Sequence, residues 1–183
     1  MKKIIKLDLH THPIEALKEK MGIKGISDIK KEVISTIVGA IQSAGLDGIA
    51  ITERNNFNPG WVVSLELTEQ FRNKDLIILP GTEIDYQGQQ LLNVYIPPWC
   101  RRRMPFFKNK EWFSILAHPG FNHPIDIQSL MEVGFDAVEG SSVLGEFSLA
   151  ETISRQKNVP IIKASDARKL EDIGLNYTEF EIE

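Results

Sequence analysis

Short apolar runs of strand length recur along this chain between stretches whose apolar positions repeat at helical spacing, and turn-forming residues separate the two kinds. The first run, 2–12, alternates: Ile5, Leu7 and Leu9 fall on one face of a strand, and Asp8, His10 and His12 on the other. Ser27 is placed to cap a helix whose apolar positions are Ile29, Val33, Ile34, Ile37 and Ile41, and Gly45 ends it. A second strand is predicted over 47–52, a helical stretch over 61–71, and a third strand over 76–79, running into Pro80-Gly81-Thr82-Glu83. The segment 86–90 reads as a hairpin turn, returning through 91–96 until Pro97-Pro98 stops it. Further strands are expected over 113–117, 135–139, 159–164 and 177–181, with short helices around 127–131 and 149–156. Apolar runs buried on both faces and joined by helices indicate a parallel sheet, and about seven such units favour closure into a small α/β barrel over an open sheet.

Composition narrows the setting. With 183 residues, 42% hydrophobic and 25% charged, the chain is expected to form one domain over 1–183. A net charge of -4 and a pI of 5.6 disfavour nucleic acid as a partner, while leaving room for a local phosphate pocket. The single cysteine, Cys100, excludes an intrachain disulfide; it stands beside Arg101-Arg102-Arg103, but with no base in view it reads as an inert thiol. No leader-like segment or long apolar span occurs, so the expected compartment is the cytoplasm and no membrane partner is expected.

The polar residues give the chain its chemical character. A histidine pair at i and i+2 on a strand orders two imidazoles toward one point, where they can chelate a cation or be two ordinary half-buried histidines. The other strand ends decide between these readings. They finish in Glu53-Arg54, Glu83, His118, Glu139, and Asp166 with Arg168. Loop polarity alone would supply mixed Ser, Asn and Lys rather than this bias toward histidine and carboxylate. In a parallel barrel these ends gather at one rim, where active sites of that architecture are built. A metal centre is therefore expected.

Five segments, in order, resemble the signature segments of the PHP (polymerase and histidinol phosphatase) family: Asp8-Leu9-His10-Thr11-His12, Gly48 to Asn55, Pro80-Gly81-Thr82-Glu83-Ile84, Leu116-Ala117-His118-Pro119-Gly120 and Ala164-Ser165-Asp166-Ala167-Arg168. The resemblance covers nearly the whole chain. It implies a distorted seven-stranded TIM-like β/α barrel that hydrolyses phosphoesters with clustered divalent metals. Two departures stand out: Thr52-Glu53-Arg54 and Ser165-Asp166-Ala167-Arg168 carry arginine where the family has a ligand histidine. Pro13-Ile14-Glu15-Ala16 also stands where the family has a Ser-Asp-Gly turn, so the ligands of one of three metals are replaced together. By resemblance His10, His12, Glu83 and Asp166 hold one metal, and Glu83, as a bridge, with His118 holds a second. Asn93 is the nearest stand-in for that second site's further histidine. His123 is expected to be an exposed loop residue rather than a ligand.

Arginine is an informative replacement. A guanidinium stays charged and fits phosphate in bidentate fashion, so Arg54 and Arg168 are expected to bind substrate where the missing metal would have acted, or else to pair with Glu53, Glu139 or Asp166 and plug the vacancy. Arg101-Arg102-Arg103 reads as a solvated basic loop rather than a substrate patch.

The implied activity is phosphoesterase hydrolysis by one or two divalent ions, zinc, manganese or iron, with Asp166 and His118 as catalytic residues and a small phosphorylated molecule or nucleotide as substrate. The rivals are a non-catalytic binding module that kept the barrel and a metal, and an amidohydrolase-like metal-dependent hydrolase.

Overall fold

The computed structural model of the chain describes residues 3–23, 28, 31–54, 67, 76–120, 127–140 and 147–182, and among these are eight strands, five α-helices and two short 3-10 helices. The strands are β1 (Lys3–Thr11), β2 (Gly48–Ile51), β3 (Ile77–Tyr86), β4 (Gln89–Tyr95), β5 (Trp112–Ala117), β6 (Ala137–Glu139), β7 (Ile161–Ile162) and β8 (Thr178–Ile182). The helices are α1 (Pro13–Met21), α2 (Lys31–Ser43), α3 (Pro98–Arg103), α4 (Ile127–Glu132) and α5 (Phe147–Lys157).

The strands form one sheet in the order β7-β6-β5-β4-β3-β2-β1-β8. β1, β2 and β3 are parallel neighbours, as are β5, β6 and β7. β4 is antiparallel to both β3 and β5, in keeping with the hairpin reading of 86–90, where Gln87 and Gly88 take positive φ of 50 and 77°. The sheet nearly closes beyond β7. The Lys163 N–H donates to Thr178 Oγ1 at 2.8 Å, and the His12 N–H donates to the Ala167 carbonyl at 2.8 Å, tying the segment after β7 to β8 and to the end of β1.

The barrel implied by the resemblance has seven strands, and this sheet has eight. β8, expected over 177–181, enters the seam antiparallel to β1, pairing Lys3 with Ile182 and Leu7 with Thr178, and buries Phe180 and Ile182. An antiparallel partner satisfies the β1 edge that a seven-unit parallel count leaves open.

The barrel interior is filled by Ile5, Leu7 and Leu9 of β1 with Leu79, Leu92, Val94 and Ile115. Its end away from the functional rim is stoppered by Phe106, Phe107, Phe113 and Phe180, whose ring centroids lie 5.0–5.4 Å apart across the cluster. Outside the sheet, Val33, Ile37 and Ile41 of α2 cover Ile49, Ile51 and Ile78, as their helical spacing predicts. Leu130 and Ile153 cover Leu116 and Val138 on the other flank. Gly48 is required by contact: a Cβ there would lie 1.9 Å from the Ile77 carbonyl oxygen.

Two helices lie where the sequence offered no side-chain cap. α1 begins directly at Pro13 after His12, and α3 at Pro98. Burial pushes the Cys100 thiol, inside α3, up to about 12, which keeps it protonated despite Arg103 nearby. Arg101-Arg102-Arg103 sits on this helix after the far end of β4, at the opposite end of the barrel from the histidines. The expected cap Ser27, Ile29, and His123 lie outside the described residues, as does the 61–71 helix apart from a buried, helical Leu67.

Candidate metal centre

β1 ends with a register shift: Asp8 pairs with Ile49 and Thr11 with Ile51, so β1 spends one extra residue across this interval. Strict alternation therefore fails at the rim. Asp8 turns to the C-terminal segment, where its carboxylate accepts from the Ser165 N–H and hydroxyl, the Gly174 N–H and the His10 N–H. Burial raises the Asp8 pKa to about 6 against these donors. His10 and His12 are separated from Asp8 and face carboxylates from three other segments.

His10 is fully buried. Its Nδ1 lies 3.0 Å from Glu139 Oε2 at the end of β6, and that oxygen also accepts from the His118 N–H at 3.2 Å. The other nitrogen, Nε2, lies 3.3 Å from Asp166 Oδ1 and 3.6 Å from Glu83 Oε1. His12, equally buried, brings its Nε2 to 3.2 Å from the same Asp166 oxygen and 3.7 Å from Glu83 Oε2. His118 stacks on His10 at 5.6 Å between centroids and places Nε2 3.5 Å from Glu83 Oε1. His118 and Asp166 hold φ of 22 and 50°, a strained backbone of the kind found at functional sites.

The charges are mutually adjusted. Burial opposes protonation of His10, but the Glu139 charge and hydrogen bond, with Glu83 and Asp166, carry its pKa to about 10. Burial dominates at His12 and lowers it. Burial would raise both Glu83 and Asp166. The close imidazoles of His10, His118 and His12 nevertheless hold Glu83 far below the carboxylate range, and His12, His10 and Arg168 hold Asp166 at about 2.

These residues fit a divalent ion. His10 Nε2 and both nitrogens of His12 are buried without a hydrogen-bond partner. Orphaned imidazole nitrogens facing ionised carboxylates form the mixed N/O donor set that suits zinc, manganese or iron. Ligand atoms of His10, His12 and Glu83 lie within 4.8 Å of one another, and so do those of His10, His118 and Asp166.

The arginines sit at the edge of this cluster, each with a side chain 36% exposed. Arg54 forms a parallel bridge with Glu83 and donates from Nε to Glu83 Oε2 at 2.7 Å. Arg168 Nη2 lies 3.4 Å from both Asp166 oxygens, so its partner is Asp166 rather than Glu139.

Asn93 is not in the cluster, and the expectation that it is a ligand is corrected. In β4, Leu92 and Val94 face the barrel interior, so Asn93 faces outward, where it accepts from Ser114 Oγ at 2.7 Å. The residue that shares the inner face is Gln90. With its amide nitrogen turned toward the cluster, Gln90 donates to His118 Nε2 at 3.0 Å and Glu83 Oε1 at 3.2 Å, and its oxygen accepts from Arg54 Nη2 at 3.2 Å. Two residues thus gain roles that sequence reasoning did not assign: Gln90, whose strand parity with Leu92 was a readable signal, and Glu139, visible as a strand end without a partner. Glu53 takes a third. Its carboxylate accepts from the Ile14 N–H at 2.7 Å and the Glu15 N–H at 3.2 Å, capping α1 from across the sheet, and burial raises its pKa to about 8 against those donors.

No protein-family model and no curated protein matches the chain. Solved structures do. A two-domain protein of Bacteroides vulgatus containing a predicted PHP-like metal-dependent phosphoesterase aligns with a TM-score of 0.61 and 17% identity over 92% of this chain, which spans about half (53%) of that protein. PsfC of Pseudomonas syringae aligns at 0.62 and 13% identity, covering 97% of this chain and 82% of its own. A "putative metal-dependent phosphoesterase" of Bifidobacterium adolescentis aligns at 0.63 and 15% identity, covering 94% and 92%. In its fold, this chain is similar to these structures, the first of which contains a predicted PHP-like phosphoesterase.

Proposed function

We propose that the chain is a metal-dependent phosphoesterase acting on a small phosphorylated molecule or nucleotide. The observation behind this reading is the buried, partnerless Nε2 atoms of His10 and His12, set 3.3 and 3.2 Å from one Asp166 oxygen. His10, His12, Glu83 and Asp166 would hold a divalent ion, with zinc, manganese and iron the best matched. When bound, that ion lowers the pKa of a coordinated water and offsets charge on phosphoryl oxygens.

The chain's own residues do the rest. Glu139 holds the proton of His10 on Nδ1, so that Nε2 is the nitrogen that would give up its proton to an ion. Arg168 and Arg54, half-exposed at the rim, orient a phosphoryl group through their guanidinium edges. His118, held by its backbone N–H on Glu139, keeps its Nε2 on the Gln90 amide beside Glu83, and would protonate the departing oxygen only after taking up a proton and releasing that amide. The fold shared with structures described as metal-dependent phosphoesterases supports the reaction class.

The test is hydrolysis of p-nitrophenyl phosphate and bis-p-nitrophenyl phosphate by protein stripped of metal and reloaded with zinc, manganese or iron. Activity that requires the ion and is abolished by His12→Ala supports the reading. A metal-loaded protein inert toward these and a panel of phosphorylated metabolites would leave the binding module, a reading favoured by one observation: Arg54 already donates at 2.7 Å to Glu83.

A further inference from the structure

We infer that this centre takes a single ion, and that Arg54 and Gln90 together stand where a second ion would have to bind. The inference rests on the metal-dependent reading above and specifies its nuclearity. A two-ion site needs a carboxylate that offers one oxygen to each ion, and Glu83 is the residue positioned to do so. Its Oε2 is already engaged by the charged Arg54 at 2.7 Å, whereas Oε1, which accepts only the Gln90 amide nitrogen at 3.2 Å, keeps a second lone pair for one ion beside His10 Nε2, 3.6 Å away. The imidazole that would serve the second ion, His118, has its Nε2 engaged by the same Gln90 nitrogen at 3.0 Å. Gln90 in turn accepts from Arg54 Nη2 at 3.2 Å, closing a ring of hydrogen bonds through Arg54, Glu83 and Gln90. Gln90 and Glu83 are 8 and 1% exposed, so these two members of the ring are shielded from competing water, while Arg54 reaches the rim.

The partnerless nitrogens fall on the other side. They belong to His10 and His12 alone among the described histidines. The cluster therefore divides into a half with unmet lone pairs, suited to a cation, and a half whose lone pairs are met by N–H donors, one of them permanently charged. A guanidinium stays protonated, and the Glu83 carboxylate raises the Arg54 pKa further against burial, so Arg54 delivers this charge at every working pH, though it cannot activate a water as an ion would. Water activation then falls to the single ion, and Arg54, with N–H groups beyond those bound to Glu83 and Gln90, contacts a phosphoryl oxygen.

Elemental analysis of protein loaded with excess manganese and desalted tests this. One ion per chain is expected, with an electron paramagnetic resonance spectrum of an isolated ion, and two ions or an exchange-coupled spectrum would overturn the inference while leaving the metal-dependent reading intact. No bound ion at all would defeat both. The double variant Arg54→His with Gln90→His replaces the donor ring with two imidazoles and is expected to bind two ions; a folded double variant that stays at one overturns the assignment of these two residues as the block. Inorganic phosphate titrated into manganese-loaded Arg54→Lys, which keeps the charge but loses the fork, is expected to bind about tenfold more weakly than to wild type. Unchanged phosphate affinity would overturn the proposed phosphoryl contact.

Discussion

Replacing Glu139 by glutamine tests the centre through a residue that touches no ion. The Glu139 Oε2 receives both the His10 Nδ1 proton and the His118 N–H, at 3.0 and 3.2 Å, while its Oε1 is buried without a partner. Glutamine is nearly isosteric but has one oxygen. If the oxygen keeps the two donors, the amide nitrogen is buried where nothing accepts, at a cost of about 1–3 kcal/mol. If the amide turns, its N–H faces His10 Nδ1, the imidazole proton moves to Nε2, and the ligand lone pair is lost. Both outcomes weaken the centre. Loss of such a supporting carboxylate is worth about ten- to a hundredfold in metal affinity, or roughly 1.4–2.7 kcal/mol. Competition with a chromophoric chelator, at matched pH, measures it. Glu139→Gln binding zinc or manganese within about twofold of wild type would refute the claim that this carboxylate sets the His10 tautomer.

Arg168→Ala should weaken inorganic phosphate binding by about ten- to a hundredfold at unchanged metal content, whereas lower stability with equal phosphate affinity would make Arg168 a plug for Asp166. Glu53 has a folded pKa of about 8 against an ordinary 4.5, so the folded state holds a proton the unfolded chain releases; the resulting stabilisation is complete below about pH 4.5 and is lost as pH rises through 8. Thermal melts of Glu53→Gln, which cannot ionise, should accordingly gain on wild type between pH 6 and about 9, and a constant difference over that range would show that Glu53 is ionised throughout. Asp8→Ala leaves the N–H groups of His10, Ser165 and Gly174 without their acceptor, and should lower stability by about 3 kcal/mol or more in urea denaturation. A loss below about 1 kcal/mol would mean that water replaces the carboxylate.

What could be read from residues alone was what local periodicity encodes. The spacing of Val33, Ile37 and Ile41 identified the buried face of α2, and the hairpin at 86–90 was marked by Gly88 between alternating strands. His10 and His12 were recognisable because two imidazoles on one strand are adjacent in space whatever the rest of the chain does. Asn93 misled because nearness in sequence to an expected ligand was weighed above strand parity, and Leu92 and Val94 already place Gln90 on the inner face. α1 escaped because its capping group, Glu53, lies 38 residues beyond Glu15 and reaches the helix only after β1 and β2 have paired. Glu139 had no readable role for the same reason: its bond to His10 spans 129 positions and is a product of barrel closure.

That closure bears on the order of events in the life of the molecule. The segment after β7 that supplies Asp166 is also the seam of the barrel, fastened to β1 through Asp8 and Ser165 across 157 positions and through His12 and Ala167. A nascent chain that has emerged only as far as β5 has both histidines of β1 but neither Glu139 nor Asp166, and no stitched rim to hold them. Such a fragment can bind an ion only loosely, as free histidines do. Metal acquisition therefore becomes a checkpoint passed after the C-terminal segment has come home, and an ion bridging residues 10 and 166 would then act as a clasp on a loop that spans most of the chain, slowing its reopening in the way a cross-link would.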